Sequence, residues 1–179
     1  MGFCSHRRRL LKATGILLPL AGFPALGLTA SSQPRRLSFF HTHTSEHLDL
    51  VYYEAGTYIP AALEEINRLL RDFRSEEIYP IDRHLLDLLH TIHAQTGRRT
   101  SYEIISGYRS PATNQMLREK SGGVAKRSLH MQGRAIDVRL QGFDTNELRR
   151  IARSLGGGGV GYYPESDFLH LDTGRVRYW

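Results

Sequence analysis

A single α+β domain is what this sequence predicts, and three features carry that reading. Stretches in which apolar and polar residues alternate, such as Leu37 and Phe39, then Leu48, Leu50 and Tyr52, have the character of half-buried strands. Between the strand-like stretches stand others with apolar residues at helical spacing and capping residues at their starts. The chain has 179 residues, and removal of a leader leaves roughly 150, enough for one domain to bury its own core.

The N-terminus has the parts of an export signal. Arg7, Arg8, Arg9 and Lys12 precede an apolar run from Ile16 to Leu28, and the small residues Thr29-Ala30-Ser31-Ser32 offer a cleavage point. Arg7-Arg8-Arg9-Leu10-Leu11-Lys12 is similar to the twin-arginine signal, with His6 where Ser or Thr is usual. This makes residues 1–32 a signal peptide handled by the Tat export machinery, 33–36 a linker and 37–179 the working domain, delivered to the periplasm. Pro19, Gly22, Pro24 and Gly27 interrupt the apolar run, so no stable membrane span is expected after processing; an uncleaved N-terminal anchor is the alternative. Cys4 is the single cysteine and lies before the run. The exported domain therefore has no disulfide and no thiolate ligand, and any metal must sit on His and carboxylates. The formal charge is +6, and without the four leader cations it falls to +2, which gives no argument for a nucleic-acid partner.

The domain then reads in order. Arg36 to Tyr53 is strand material with Thr44-Ser45-Glu46 as a turn, a hairpin. His41 and His43 fall two apart on one face of it and are expected to be surface residues. Pro60 to Leu70 opens with Pro at a first-turn position and has one apolar stripe. Asp82 caps a second helix through Leu85, Leu86, Leu89 and Ile92 that stops before Gly97; His84, His90 and His93 within it belong to scaffold. Tyr102 to Ser106 is a strand, and Gly107-Tyr108-Arg109-Ser110-Pro111 turns the chain into a helix near Ala112. The segment from Leu117 to Arg127 ends in a polar, glycine-containing loop suited to border a groove. Gly133 permits a bend between His130 and the strand Ala135 to Leu140, bringing His130 back towards Asp137. Asp144 opens a capped helix that runs to four glycines. These follow a helix with no Lys-Ser/Thr after them, so they do not form a phosphate-cradling loop. Val160 to Tyr163 and Phe168 to Asp172 are two strands. In the second, His170 and Asp172 share a face while Leu169 and Leu171 point to the core.

His130, Asp137 and His170 form an N, N, O set that suits a catalytic zinc ion with one position open to water. Hydrolysis by such a centre also needs a general base and a cation facing the developing oxyanion. Asp167 or Asp172 is the candidate base, Arg109 the candidate cation and substrate contact, and Ser128 a residue that orients a ligand or contacts substrate.

The pattern Ser128-x-His130-x-x-Gly133-x-Ala135-x-Asp137, preceded by Ser106-Gly107-Tyr108-Arg109-Ser110 and followed by His170 on a strand, resembles the LAS group of zinc metallopeptidases. The closing Gly159-Val160-Gly161-Tyr162-Tyr163-Pro164 and His170-Leu171-Asp172-Thr173-Gly174-x-Val176-Arg177-x-Trp179 resemble its YcbK-like exported branch. The resemblance implies a compact domain whose antiparallel sheet carries the metal ligands and is flanked by helices. It also implies one zinc ion on His130, Asp137 and His170, Arg109 at the substrate, and peptidoglycan peptides as partners. Many relatives place a Glu three residues before the last His; here that position is Asp167, one methylene shorter. The expected activity is a murein endopeptidase opening peptide cross-links. The alternatives are a D-Ala-D-Ala-type carboxypeptidase and a non-catalytic, zinc-stabilised wall-binding module.

Overall fold

The computed structural model describes residues 1, 2 and 33–179. Apart from its first two residues, the expected signal peptide, with Cys4 and the twin-arginine motif, lies outside them.

Alternation gives the opening hairpin: β1 (Arg35–His41) pairs antiparallel with β2 (His47–Glu54). β1 starts two residues earlier than the expected domain boundary at Leu37, because Arg36 grips Asp49 across the hairpin through both Nε and Nη2, and Arg35 pairs with Asp87 at 2.6 Å. The residues expected as the end of a linker are thus strand. A two-residue strand, β3 (Thr57–Tyr58), adds to β2. Helix α1 (Pro60–Leu69) begins with its Pro in the first turn. Helix α2 (Arg83–Thr96) is capped by Asp82, which accepts from the His84 N–H, and ends at Gly97 in the left-handed conformation.

Next come β4 (Tyr102–Ser106), α3 (Pro111–Lys120) capped by Ser110, and β5 (Ala135–Leu140). Helix α4 (Thr145–Leu155) is capped by Asp144, and β6 (Gly159–Tyr163), β7 (Phe168–Asp172) and the two-residue β8 (Arg177–Tyr178) complete the domain. All eight strands form one sheet in the order β3-β2-β1-β4-β5-β7-β6-β8. It is antiparallel except where β1 meets β4 and β6 meets β8. The α+β class with a mostly antiparallel sheet is as the resemblance implies, but the sheet carries only two of the three candidate ligands, Asp137 and His170, and His130 lies on a short turn outside it. β3 and β8 were not readable because two residues carry no periodicity.

The sheet has two unlike faces. Ile136, Val138 and Leu140 of β5 and Leu169 and Leu171 of β7 bury into the core with Leu85, Leu86, Leu89 and Ile92 of α2 and Leu148 of α4. Each such side chain contributes about 1.5–3 kcal/mol on burial. The opposite parity, Asp137 on β5, Phe168, His170 and Asp172 on β7 and Gly161 and Tyr163 on β6, faces away from that core. Among the described residues no helix is long and apolar enough to cross a membrane.

Candidate metal centre

Strand register places two of the candidate ligands together. Asp137 on β5 is the direct partner of His170 on β7, and Ser106 on β4 lies across from Asp137 on its other side. The third arrives on a short 3-10 helix, Leu129–Gln132, that the sequence did not announce. Ser128 caps this turn by accepting from the His130 N–H at 3.4 Å, and Gly133 ends it at φ +64°. A Cβ at Gly133 would lie 2.1 Å from the Pro80 carbonyl oxygen, so neither the conformation nor the space admits another residue. The bend that the sequence assigns to Gly133 is this cap.

One ligand atom each from His130, Asp137 and His170 lies within 4.8 Å of the other two, a group able to hold a metal ion. The hydrogen bonds fix which atoms these are. His130 Nδ1 is 2.7 Å from the Gly107 carbonyl, which only accepts, so Nδ1 carries the proton and Nε2 presents a lone pair. His170 Nε2 is 2.8 Å from an Asp172 carboxylate oxygen, so its proton is held there and Nδ1 is the free nitrogen. His130 Nε2 and His170 Nδ1 then face each other at 3.2 Å, and Asp137 Oδ1 lies 3.2 and 3.0 Å from them. Three lone pairs pointed at one another repel unless a positive charge sits among them. A tetrahedral divalent ion with bonds of about 2.0–2.1 Å separates its donors by about 3.3 Å. The donor set fits.

The surroundings match that chemistry. His130 is 1 % exposed and Asp137 5 %. Burial pushes the His130 ring below its ordinary pKa, which favours the neutral, ligating form. For Asp137 burial acts upward, but His130, His170 and Arg109 outweigh it and hold the carboxyl well below the usual range. Burial also lowers His170, and the Asp137 and Asp172 carboxylates more than reverse it, which favours a second proton on Nδ1; ligation replaces that proton with the ion. Arg109 donates through Nε to Ser106 at 2.8 Å and through Nη2 to Asp137 Oδ2. Its backbone N–H reaches the His130 carbonyl at 3.3 Å, which locks the loop after β4 to the 3-10 turn.

Arg109, Ser128, His130, Asp137 and His170 all line one open cavity of about 480 Å³. The two candidate bases lie elsewhere. Asp172 is fully buried beneath His170, its oxygens taken by His170 Nε2, by both Arg177 terminal nitrogens and by the Gly159 and Gly174 N–H groups. Asp167 sits in the β6–β7 turn at φ +48°, its side chain 64 % exposed, with one oxygen accepting from the Thr145 hydroxyl at 2.5 Å. Among the described residues the one side-chain carboxylate lining the cavity is that of Asp137.

Sequence reasoning assigned no role to three further residues here. The Gly107 carbonyl fixes a tautomer, and no side-chain pattern encodes a backbone acceptor. Arg177 completes the buried charge of Asp172. Trp179 stands against His170 with ring centres 5.3 Å apart and donates to the Tyr163 hydroxyl at 3.1 Å. Gly161 makes room for it, since a Cβ there would lie 2.5 Å from the indole. The closing motif contains Arg177, Trp179 and Gly161, so the signal was present without its geometry.

A family model described as peptidoglycan L,D-endopeptidase MepK (Peptidase_M15_2) matches residues 29–179. Curated proteins called peptidoglycan L,D-endopeptidase MepK from Escherichia coli (strain K12) and Shigella flexneri are each 39 % identical over 179 residues, covering 99 % of this chain and 98 % of the relative. The protein called probable peptidoglycan L,D-endopeptidase MepK of Haemophilus influenzae is 39 % identical over 177 residues, covering 97 % and 95 %.

Proposed function

The chain belongs to the peptidoglycan L,D-endopeptidase MepK family, and from that membership we propose that it is a zinc-dependent murein peptidase that hydrolyses peptide cross-links in the cell wall. The observation that carries the reading is the convergence of His130 Nε2, His170 Nδ1 and Asp137 Oδ1 within 3.2 Å beside an open cavity. Two neutral imidazoles and a carboxylate suit zinc, with room for water at a further position. Zinc held there supplies the Lewis acidity that makes water a nucleophile near neutral pH.

The protein's own groups divide the remaining work. His130 and His170 bind through the nitrogens their hydrogen bonds leave free, and Asp172 and the Gly107 carbonyl hold the other ring protons in place. Arg109 keeps Asp137 ionised and oriented and presents its remaining nitrogen, Nη1, as a donor for substrate oxygen or for charge that develops on it. Ser128 fixes the turn that carries His130. We assign Asp172 to orientation of His170 in place of proton shuttling, because its lone pairs are already engaged. The compartment we propose is the periplasm, reached through the signal peptide over residues 1–32 and the Tat route, leaving a peptidase domain whose first strand starts at Arg35. The domain is then delivered to its substrate.

His130→Ala removes one of the three donors. Incubated with cross-linked muropeptide dimers, the variant is expected to bind no zinc and to release no monomers, while the wild type converts dimers to monomers. Full cleavage by the variant would overturn the proposal. Release of terminal D-Ala from free pentapeptides, with dimers left intact, would point to a carboxypeptidase.

A further inference from the structure

Three arginines line the cavity beside the candidate metal centre, and two of them are already paired. Arg109 is bonded to Ser106 and Asp137, and Arg177 holds Asp172 with both terminal nitrogens, at 3.0 and 2.7 Å. Arg127 lines the same cavity, is exposed, and has no ion pair or side-chain hydrogen bond among the described residues. Its place on the backbone is nevertheless fixed. It directly precedes Ser128, the cap of the turn that carries His130. Two residues earlier, the Ala125 carbonyl accepts from Asn114 Nδ2 at 3.2 Å, and Asn114 is buried on α3.

The charge of the cavity points to its occupant. Three arginines stand against a single side-chain carboxylate, Asp137, and that carboxylate is turned towards Arg109 and the two imidazoles. A divalent ion at the three donors adds to the positive balance. Such a cavity attracts an anion. A guanidinium without a partner offers a planar fork that matches a carboxylate through two parallel hydrogen bonds. When the amine released by cleavage and a free carboxylate belong to the same α-carbon, that charge sits on the carbon bearing the scissile nitrogen. It is therefore carried into the cavity whenever the amide reaches the ligand set.

We propose that Arg127 is a specificity-determining residue that receives a free carboxylate borne by the substrate residue on the amine side of the bond cut beside His130, Asp137 and His170. This rests on the peptidase reading above. The loop that ends in Arg127 then serves as a selector for substrate charge, and Arg109 stays with the ligand set.

Two synthetic cross-linked peptides test it, identical except that the group beside the scissile nitrogen is a carboxylate in one and a carboxamide in the other. With the zinc-loaded full chain, wild type is expected to prefer the carboxylate. Arg127→Ala is expected to raise KM for that peptide about 10- to 100-fold, the loss of a hydrogen bond to a charged group, with kcat and the carboxamide peptide little changed; Arg127→Lys restores part of the preference. Calorimetric binding of both peptides to the chelator-stripped chain gives a readout that needs no turnover, and the same preference and the same loss are expected. Binding with that preference but without cleavage of either peptide sinks the peptidase reading and upholds the carboxylate contact. Cleavage without preference, or an Arg127→Ala loss equal for both peptides, overturns the role of Arg127 and leaves the peptidase reading intact. Absence of both binding and cleavage overturns both.

Discussion

At Asp172 five donors meet one carboxylate: His170 Nε2, two Arg177 nitrogens and the N–H groups of Gly159 and Gly174. Burial acts to raise its pKa, but His170 and then Arg177 hold it well below the usual range. In the function we propose, it acts at the centre through the His170 tautomer. Asp172→Asn is expected to weaken zinc binding about 10- to 100-fold, measured by competition against a chromophoric chelator. Asp167→Asn, in the exposed turn, is expected to stay within about threefold of wild type in kcat/KM, a change of under about 0.7 kcal/mol in transition-state binding. His41 is not the surface residue that its polar ring led us to expect. It is fully buried at the end of β1, its Nδ1 faces the His43 and Thr44 N–H groups, its Nε2 has no partner, and burial lowers its pKa to about 4. The unfolded ring has its ordinary pKa near 6.5, so the unfolded chain takes up the proton first as pH falls. The stabilisation is complete above about pH 6.5 and is lost on descent to about 4, at most about 3 kcal/mol. His41→Asn is expected to flatten denaturant-measured stability across that window; an unchanged slope would refute the assignment.

Elements bring these residues together. The candidate donor set was legible because His130 and Asp137 stand in a spaced motif with His170 on a later strand, and because strand parity puts His170 and Asp172 on one face. Two capped helices were equally legible, since Asp82 and Asp144 each accept from a backbone N–H at the helix start; Ser110 does the same for α3, where the sequence marks only a turn into a helix. The 3-10 turn was not legible, since four residues carry no period. The burial of His41 was encoded and missed: it shares strand parity with Leu37 and Phe39, which face the core. At this scale Gly133 is the test. Replacement by Ala forces a Cβ against Pro80 at positive φ. A cost of about 2–3 kcal/mol is expected, a fall in Tm of roughly 5–10 °C, together with weaker zinc binding because His130 rides on the turn that Gly133 ends. A Tm within about 1 °C of wild type would contradict the strain account.

On the scale of the whole molecule, the sheet separates two kinds of work. One face buries leucines and isoleucines against α2 and α4, and the other presents charged and aromatic side chains to a cavity. Alternation along β5 and β7 makes both possible from the same strands, so rigid packing on one side holds the donors in place on the other. The central claim is that the three converged donors hold one divalent ion and that this ion is needed to cut the wall. Digestion of isolated sacculi by the purified protein, first stripped with chelator and then restored with one equivalent of zinc, with products resolved by mass, tests it most directly. Cross-linked dimers are expected to persist with the stripped protein and to be converted to monomers when zinc returns. Undiminished conversion by the stripped protein, or dimers left intact by the zinc-restored one, would contradict the account.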